Sequence, residues 1–167
     1  MLGSILVIFS STLIGVYFGN FSKYRAYDLK QIRDSLIILR AEIEYTLTPL
    51  SQAIENASYK VEAPAKNIFS DMCILLEQKV PPLEALSHSL NNNRKNMYIS
   101  KDDINQLITL GNTLGYLDKT LQLNTIDLTV KYLQEKIDEQ GTLHIKNKKL
   151  YQTLGLLAGI LVVVLTF

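Results

Sequence analysis

The sequence predicts an all-α protein, an antiparallel bundle of about six helices between two transmembrane helices. Three observations carry that expectation. Residues 1–22 and 150–167 contain no Asp, Glu, Lys, Arg or His. Between them, apolar residues recur every three or four positions, the spacing that lines one face of an α-helix. No stretch alternates β-branched and polar residues between hairpin turns, so nothing predicts a strand.

Leu2 to Phe21 supplies about twenty residues, which at roughly 1.5 Å rise cross a hydrocarbon core about 30 Å thick. Met1-Leu2-Gly3-Ser4 lacks the basic start of a secretory signal and no Ala-x-Ala site precedes Lys23, so the segment reads as a retained anchor. Leu29, Ile32, Leu36, Leu39 and Ile43 form one stripe of a helix from Asp28 to Tyr45. Thr48-Pro49 reads as a helix start with Thr as the cap, followed by the short apolar face Leu50, Ala53, Ile54 and Ala57. Another helix starts at Pro64, buries Ile68, Phe69, Met72, Leu75 and Leu76, and stops at Val80-Pro81-Pro82.

Leu83, Leu86 and Leu90 mark a short helix that ends in the polar run from Asn91 to Asn96, expected to be the main exposed loop. Ser100-Lys101-Asp102-Asp103 has the spacing of a capping box, with Asp in place of Glu, ahead of Ile104, Leu107 and Ile108. Gly111 and Gly115 predict a corner between helices, and Asp118 stands where a carboxylate caps the last one. That helix carries Leu121, Leu128, Leu133 and Ile137 with abundant polar residues between them and is weakened only at Gly141 before it runs into Leu150–Phe167, whose Val162-Val163-Val164-Leu165 run has no polar face. The chain therefore divides into an N-terminal span (1–22), a helical bundle (23–149) and a C-terminal span (150–167).

Lys23, Arg25, Lys30 and Arg33 follow the first span and Lys146, Lys148 and Lys149 precede the second, so both inner flanks are basic. Positive flanks stay on the cytoplasmic side, which places the bundle in the cytoplasm and both termini outside. A helical sensor or scaffold with the bundle outside the cytoplasm shares the outline but not the charge bias. Gly15 with Gly19 and Gly155 with Gly159 put small residues on one face of each span, where the hairpin can pack on itself, on a second copy or on a neighbouring membrane protein. A net charge of +1 from 17 basic and 16 acidic residues leaves no footprint for nucleic acid. The single cysteine, Cys73, sits between Met72 and Ile74 and reads as a core thiol.

No catalytic constellation is visible, so an enzyme, a cofactor and a metal are not expected. His88 and His144 have no ligand-spaced partner, Glu42 and Glu44 lie about 200° apart around a helix, and no phosphate-binding glycine loop is present. Exposed charges and an aromatic that fall outside the predicted core, Arg40, Glu44, Arg94, Lys95 and Tyr98, are the candidates for a protein interface.

Arg40-x-Glu42-Ile43-x-Tyr45, Thr48-Pro49-Leu50, Leu110-Gly111-x-x-Leu114-Gly115-x-x-Asp118-x-x-x-Gln122 and Leu154-Gly155-Leu156-Leu157-Ala158-Gly159 together resemble the stage III sporulation protein AB family of endospore-forming bacteria. The resemblance runs the full length. It implies a six-helix fold like the cytoplasmic domain of platform protein F of type II secretion and type IV pilus systems. It also implies a place in the outer forespore membrane of the mother cell, within the transenvelope secretion-like channel. The implied partners are a cytoplasmic ATPase like stage III sporulation protein AA and other channel components. Asn112 stands where the platform family usually has Glu, so no role of that acid carries over.

Overall fold

A computed structural model describes the backbone of residues 2–46, 48–115 and 118–166, and side chains between residues 21 and 142 within those limits. Six α-helices follow in order: α1 (Leu2–Tyr45), α2 (Leu50–Ser58), α3 (Ala65–Glu77), α4 (Pro82–Asn93), α5 (Lys101–Gly111) and α6 (Lys119–Thr166), with a 3-10 turn at Arg94–Asn96. Among the described residues there is no strand. Each helix packs on the next and α6 returns onto α1, the most extensive pairing of all. The result is an up-and-down ring. With an even number of helices, the N-terminal part of α1 and the C-terminal part of α6 leave from the same end, here termed proximal; the α1–α2, α3–α4 and α5–α6 connections form the distal end.

Among the described residues no helix is long and apolar enough to cross a membrane. Most of the first expected span and all of the second lie outside the described side chains, and so do Gly15, Gly19, Gly155 and Gly159.

The core draws one stripe from each helix. Leu29, Ile32, Leu36 and Leu39 of α1 meet Ile54 and Ala57 of α2, Ile68, Phe69 and Met72 of α3, Leu86 and Leu90 of α4, and Ile104, Leu107 and Leu110 of α5. Cys73 is buried with them, and burial pushes its thiol up, as for an inert core cysteine. On α6 two of the four expected apolar residues, Leu133 and Ile137, face the core, but Leu121 is 46% and Leu128 67% exposed. The rest of the buried face is Gln122, Ile126, Thr129 and Gln140. Gln122 accepts from the Gly115 N–H at 3.2 Å, and the Thr129 hydroxyl donates to the Thr125 carbonyl at 2.9 Å, so hydrogen bonds offset the burial of polar groups.

Helix ends explain three other departures. Pro49 itself occupies the position before α2, leaving Thr48 one residue too early to cap it; the Thr48 hydroxyl instead meets that of Thr46 at 2.8 Å. Helix α3 ends at Glu77, before the prolines, because Lys79 adopts φ 64° and lets Val80 N–H reach the Leu75 carbonyl and Lys79 N–H reach that of Leu76. That pair of bonds is a Schellman turn with Lys where glycine is usual. Pro82 then opens α4. The run from Asn91 to Asn96 is not a loop: α4 continues to Asn93, which is buried and donates to Asp71 at 2.8 Å and to the Ser89 carbonyl at 2.9 Å.

Candidate interaction surfaces

The α1–α6 seam carries charge toward its distal end. Arg40 donates to Asp127 at 2.6 Å and also pairs with Glu44, while Lys119 donates to the Glu44 backbone carbonyl at 2.5 Å. Arg33 reaches Gln134 lower on the same seam. All four side chains of the Arg40 cluster touch water, so the cluster fixes register more than it adds stability. Beside it, on the outer face of α1, Ile37, Ala41 and Tyr45 follow at four-residue spacing, all exposed, with Tyr45 at 81%. They line a shallow groove of about 380 Å³ with Ile38, Thr46 and Lys60, floored by Glu42. Glu42 is held by Asn56 at 3.2 Å and Lys60 at 3.4 Å.

The proximal end is built around Asp103. Its carboxylate accepts from the Ser100 N–H at 2.8 Å, closing the capping box of α5, from Arg25 at 2.9 Å and from the Tyr132 hydroxyl at 3.0 Å. Burial alone would raise this carboxyl; the Ser100 bonds, the Arg25 charge and Tyr132 outweigh it and hold it below the ordinary carboxylate range. Tyr132, through burial and then its bond to Asp103, is pushed up to about 12. One turn along α1, buried Asp28 accepts from the Tyr98 N–H at 2.7 Å, and its carboxyl is raised by burial in spite of that bond. Above it the Tyr98 ring stacks on Tyr24 at 5.2 Å and meets Phe21 edge-on at 5.6 Å.

The five candidate interface residues do not converge. Arg40 and Glu44 lie in the distal half of α1, whereas Tyr98 packs beside Phe21 and Tyr24, nineteen residues earlier than Arg40 and about 28 Å away along the helix. Arg94 and Lys95 are exposed in the 3-10 turn near Tyr98. At the distal corner, a Cβ on Gly111 would stand 3.0 Å from the Leu83 backbone, and Gly115 has φ +81°. Asp118 accepts the Leu121 N–H at 3.0 Å, a cap on α6. Among the described residues no group of three or more His, Cys, Asp or Glu side chains gathers as metal ligands do.

The profile described as "Stage III sporulation protein AB" matches residues 1–167. The chain belongs to the stage III sporulation protein AB family. Stage III sporulation protein AB of Bacillus subtilis (strain 168) is 27% identical over 166 residues, covering 99% of this chain and 97% of that relative. A solved structure of stage III sporulation protein AB matches with a TM-score of 0.67 at 25% identity, covering 73% of this chain and 97% of the solved one. The family takes its name from a stage of sporulation, not from a reaction. Within this family member, the Arg25–Asp103–Tyr132 cluster is the part that sequence reasoning missed beyond its local capping box, because its partners lie 78 and 29 residues apart in the chain.

Proposed function

We propose that this chain is a non-enzymatic platform component of the sporulation transenvelope channel, anchored in the membrane by its two apolar ends and docking a cytoplasmic ATPase like stage III sporulation protein AA. The observation that carries the reading is the common exit of α1 and α6. A ring with both long helices leaving at one end suits a membrane hairpin, with both termini on one side and the bundle on the other. The distal half then points away from the bilayer, where a soluble motor is met. Its exposed Ile37–Ala41–Tyr45 stripe, flanked by Lys60 and by Arg40 with Glu44, has the apolar centre and charged rim of a protein interface.

Topology is the first test. Asn112→Cys in a Cys73→Ser background lies on the exposed distal side, and a membrane-impermeant thiol reagent should label it only after cells are lysed. Labelling in intact cells would put the bundle outside and bring forward the sensor or scaffold reading. With cytoplasmic placement established, Tyr45→Ala should weaken binding of the ATPase about thirtyfold if Tyr45 is an interface anchor. Unchanged binding would remove this face as the dock.

A further inference from the structure

We infer that the proximal tip of the bundle is a lipid-contacting surface, in which Phe21, Tyr24 and Tyr98 together with Lys23, Arg94 and Lys95 seat against the acidic headgroups of the bilayer. The inference rests on the membrane anchoring proposed above and adds a second contact to it. Phe21 closes the apolar run from Leu2, and Ser22 alone separates it from the first cation, Lys23. Any bilayer that holds the run therefore has its surface near Phe21. Tyr98 comes from the far side of the ring, yet its ring lies 5.6 Å from that of Phe21 and 5.2 Å from that of Tyr24. The three rings remain 43%, 49% and 39% exposed for Phe21, Tyr24 and Tyr98, and none belongs to the core. Half-wet aromatic rings of this kind populate the headgroup level, where an apolar body and a polar tip are both accommodated.

The cations follow the same level. Arg94 and Lys95 precede Tyr98 by four and three residues, which limits them to roughly 10–14 Å of chain from it. Lys23 sits two residues past Phe21, about 3 Å along the helix. These distances are comparable with the Debye length of about 8–10 Å, so the charges feel an anionic surface that the distal Arg40 cluster does not. Arg94 and Lys95 form no ion pair, nor does Lys23, among the described residues, in contrast to Arg40. Of the carboxylates at this end, Asp103 is paired with Arg25, Asp28 accepts the Tyr98 N–H, Asp71 accepts from the Asn93 amide and Glu62 from the Tyr27 hydroxyl, while Asp102 stands in the first turn of α5. The surface is also held in shape: buried Asp28 pins the Tyr98 backbone to α1 at 2.7 Å. Preorganised aromatic and basic groups lose little freedom on meeting the headgroups.

The full chain, carrying Cys73→Ser and either Asn96→Cys or Asn112→Cys labelled with bimane, is reconstituted in vesicles of phosphatidylcholine with or without phosphatidylglycerol, containing brominated lipid. The expected result is strong quenching at 96, little at 112, greater quenching at 96 with phosphatidylglycerol, and reversal by high salt. Arg94→Gln or Lys95→Gln should shift the seating equilibrium about fivefold each away from the bilayer. Resistance to alkaline extraction with equal quenching at 96 and 112 overturns the inference while leaving the anchoring intact. Quenching indifferent to phosphatidylglycerol and salt overturns the headgroup assignment. Release of the chain by alkali removes the anchoring and this inference together.

Discussion

Replacing Asp103 removes the bond that ties three helices together at the proximal end. Its side chain is fully buried, and it serves α5 through Ser100, α1 through Arg25 and α6 through Tyr132. Breaking a buried ion pair by deleting one partner costs about 3–5 kcal/mol, because the remaining charge stays desolvated. The Arg25 side chain is 19% exposed, so water recovers part of that cost, and about 2–3 kcal/mol is expected for Asp103→Asn. Asp103→Ala further loses the bond from the Ser100 N–H that completes the capping box, about 1 kcal/mol, and leaves the Tyr132 hydroxyl without its acceptor, about 1 kcal/mol more. The total of about 4–5 kcal/mol is a large part of the 5–15 kcal/mol that holds an ordinary domain together. Urea unfolding of the micelle-held chain, followed by tyrosine near-ultraviolet circular dichroism, reads this directly. With a slope of about 1.5 kcal/mol per molar, the midpoint should fall by about 1.5–2 M for Asp103→Asn and about 3 M for Asp103→Ala. A shift below about 0.5 M for the alanine variant would refute the network as a structural centre. Tyr132→Phe should cost only about 1 kcal/mol, and a coupling energy near zero between it and Asp103→Ala would show that the two groups do not act together.

The remaining predictions use the same unfolding measurement. Asp103, held below its ordinary range, contributes stability that is complete above about pH 4 and is lost as pH falls through its folded pKa, whereas Asp28, raised by burial, contributes with the opposite sign; Asp103→Asn should therefore flatten the acid limb. Lys79→Gly relieves a left-handed backbone and should stabilise by about 1 kcal/mol, a gain absent at a helical control such as Lys131→Gly. Gly111→Ala brings a methyl to 3.0 Å from the Leu83 backbone and should cost about 1–3 kcal/mol; an unchanged midpoint would show that α4 and α5 separate freely. On α6, Leu128→Lys should change stability by less than about 0.5 kcal/mol, and Leu133→Ala should cost about 2–5 kcal/mol.

The α1 stripe, the apolar faces of α2 to α5 and the Ser100–Asp103 box were all visible in the sequence, because each depends on neighbours within a turn or two. The course of α6 was visible too, but its buried face only at Leu133 and Ile137. Leu121 and Leu128 are seven apart and share a face, but Leu133 lies five further on, about 140° around the axis, so the four apolar residues never formed one stripe. Positions 122, 126, 129, 133, 137 and 140 do form one, at steps of four and three, once Gln and Thr are admitted as buried residues. Periodicity was the better guide and hydrophobicity the worse. The Lys79 turn had no glycine to announce it, and the Asn93 contacts to Asp71 and Ser89 arise from packing across helices. For the surfaces, residue type identified Arg40, Glu44, Arg94, Lys95 and Tyr98 as exposed groups, but only the ring topology separates them into two ends.

The closure of the ring by α6 also sets an order of events during synthesis. Helix α1 leaves the ribosome first, yet its largest partner begins at Lys119, more than seventy residues later. At about 5–20 residues per second, Leu29, Ile32, Leu36 and Leu39 wait several seconds or more with part of their apolar surface uncovered. The helix that ends this wait is continuous with the second apolar end of the chain. Premature termination anywhere between Gly115 and Lys119 would thus leave a five-helix open ring in which α1 keeps only α2 and α3 as partners, losing the closure and the apolar C-terminal segment in a single step.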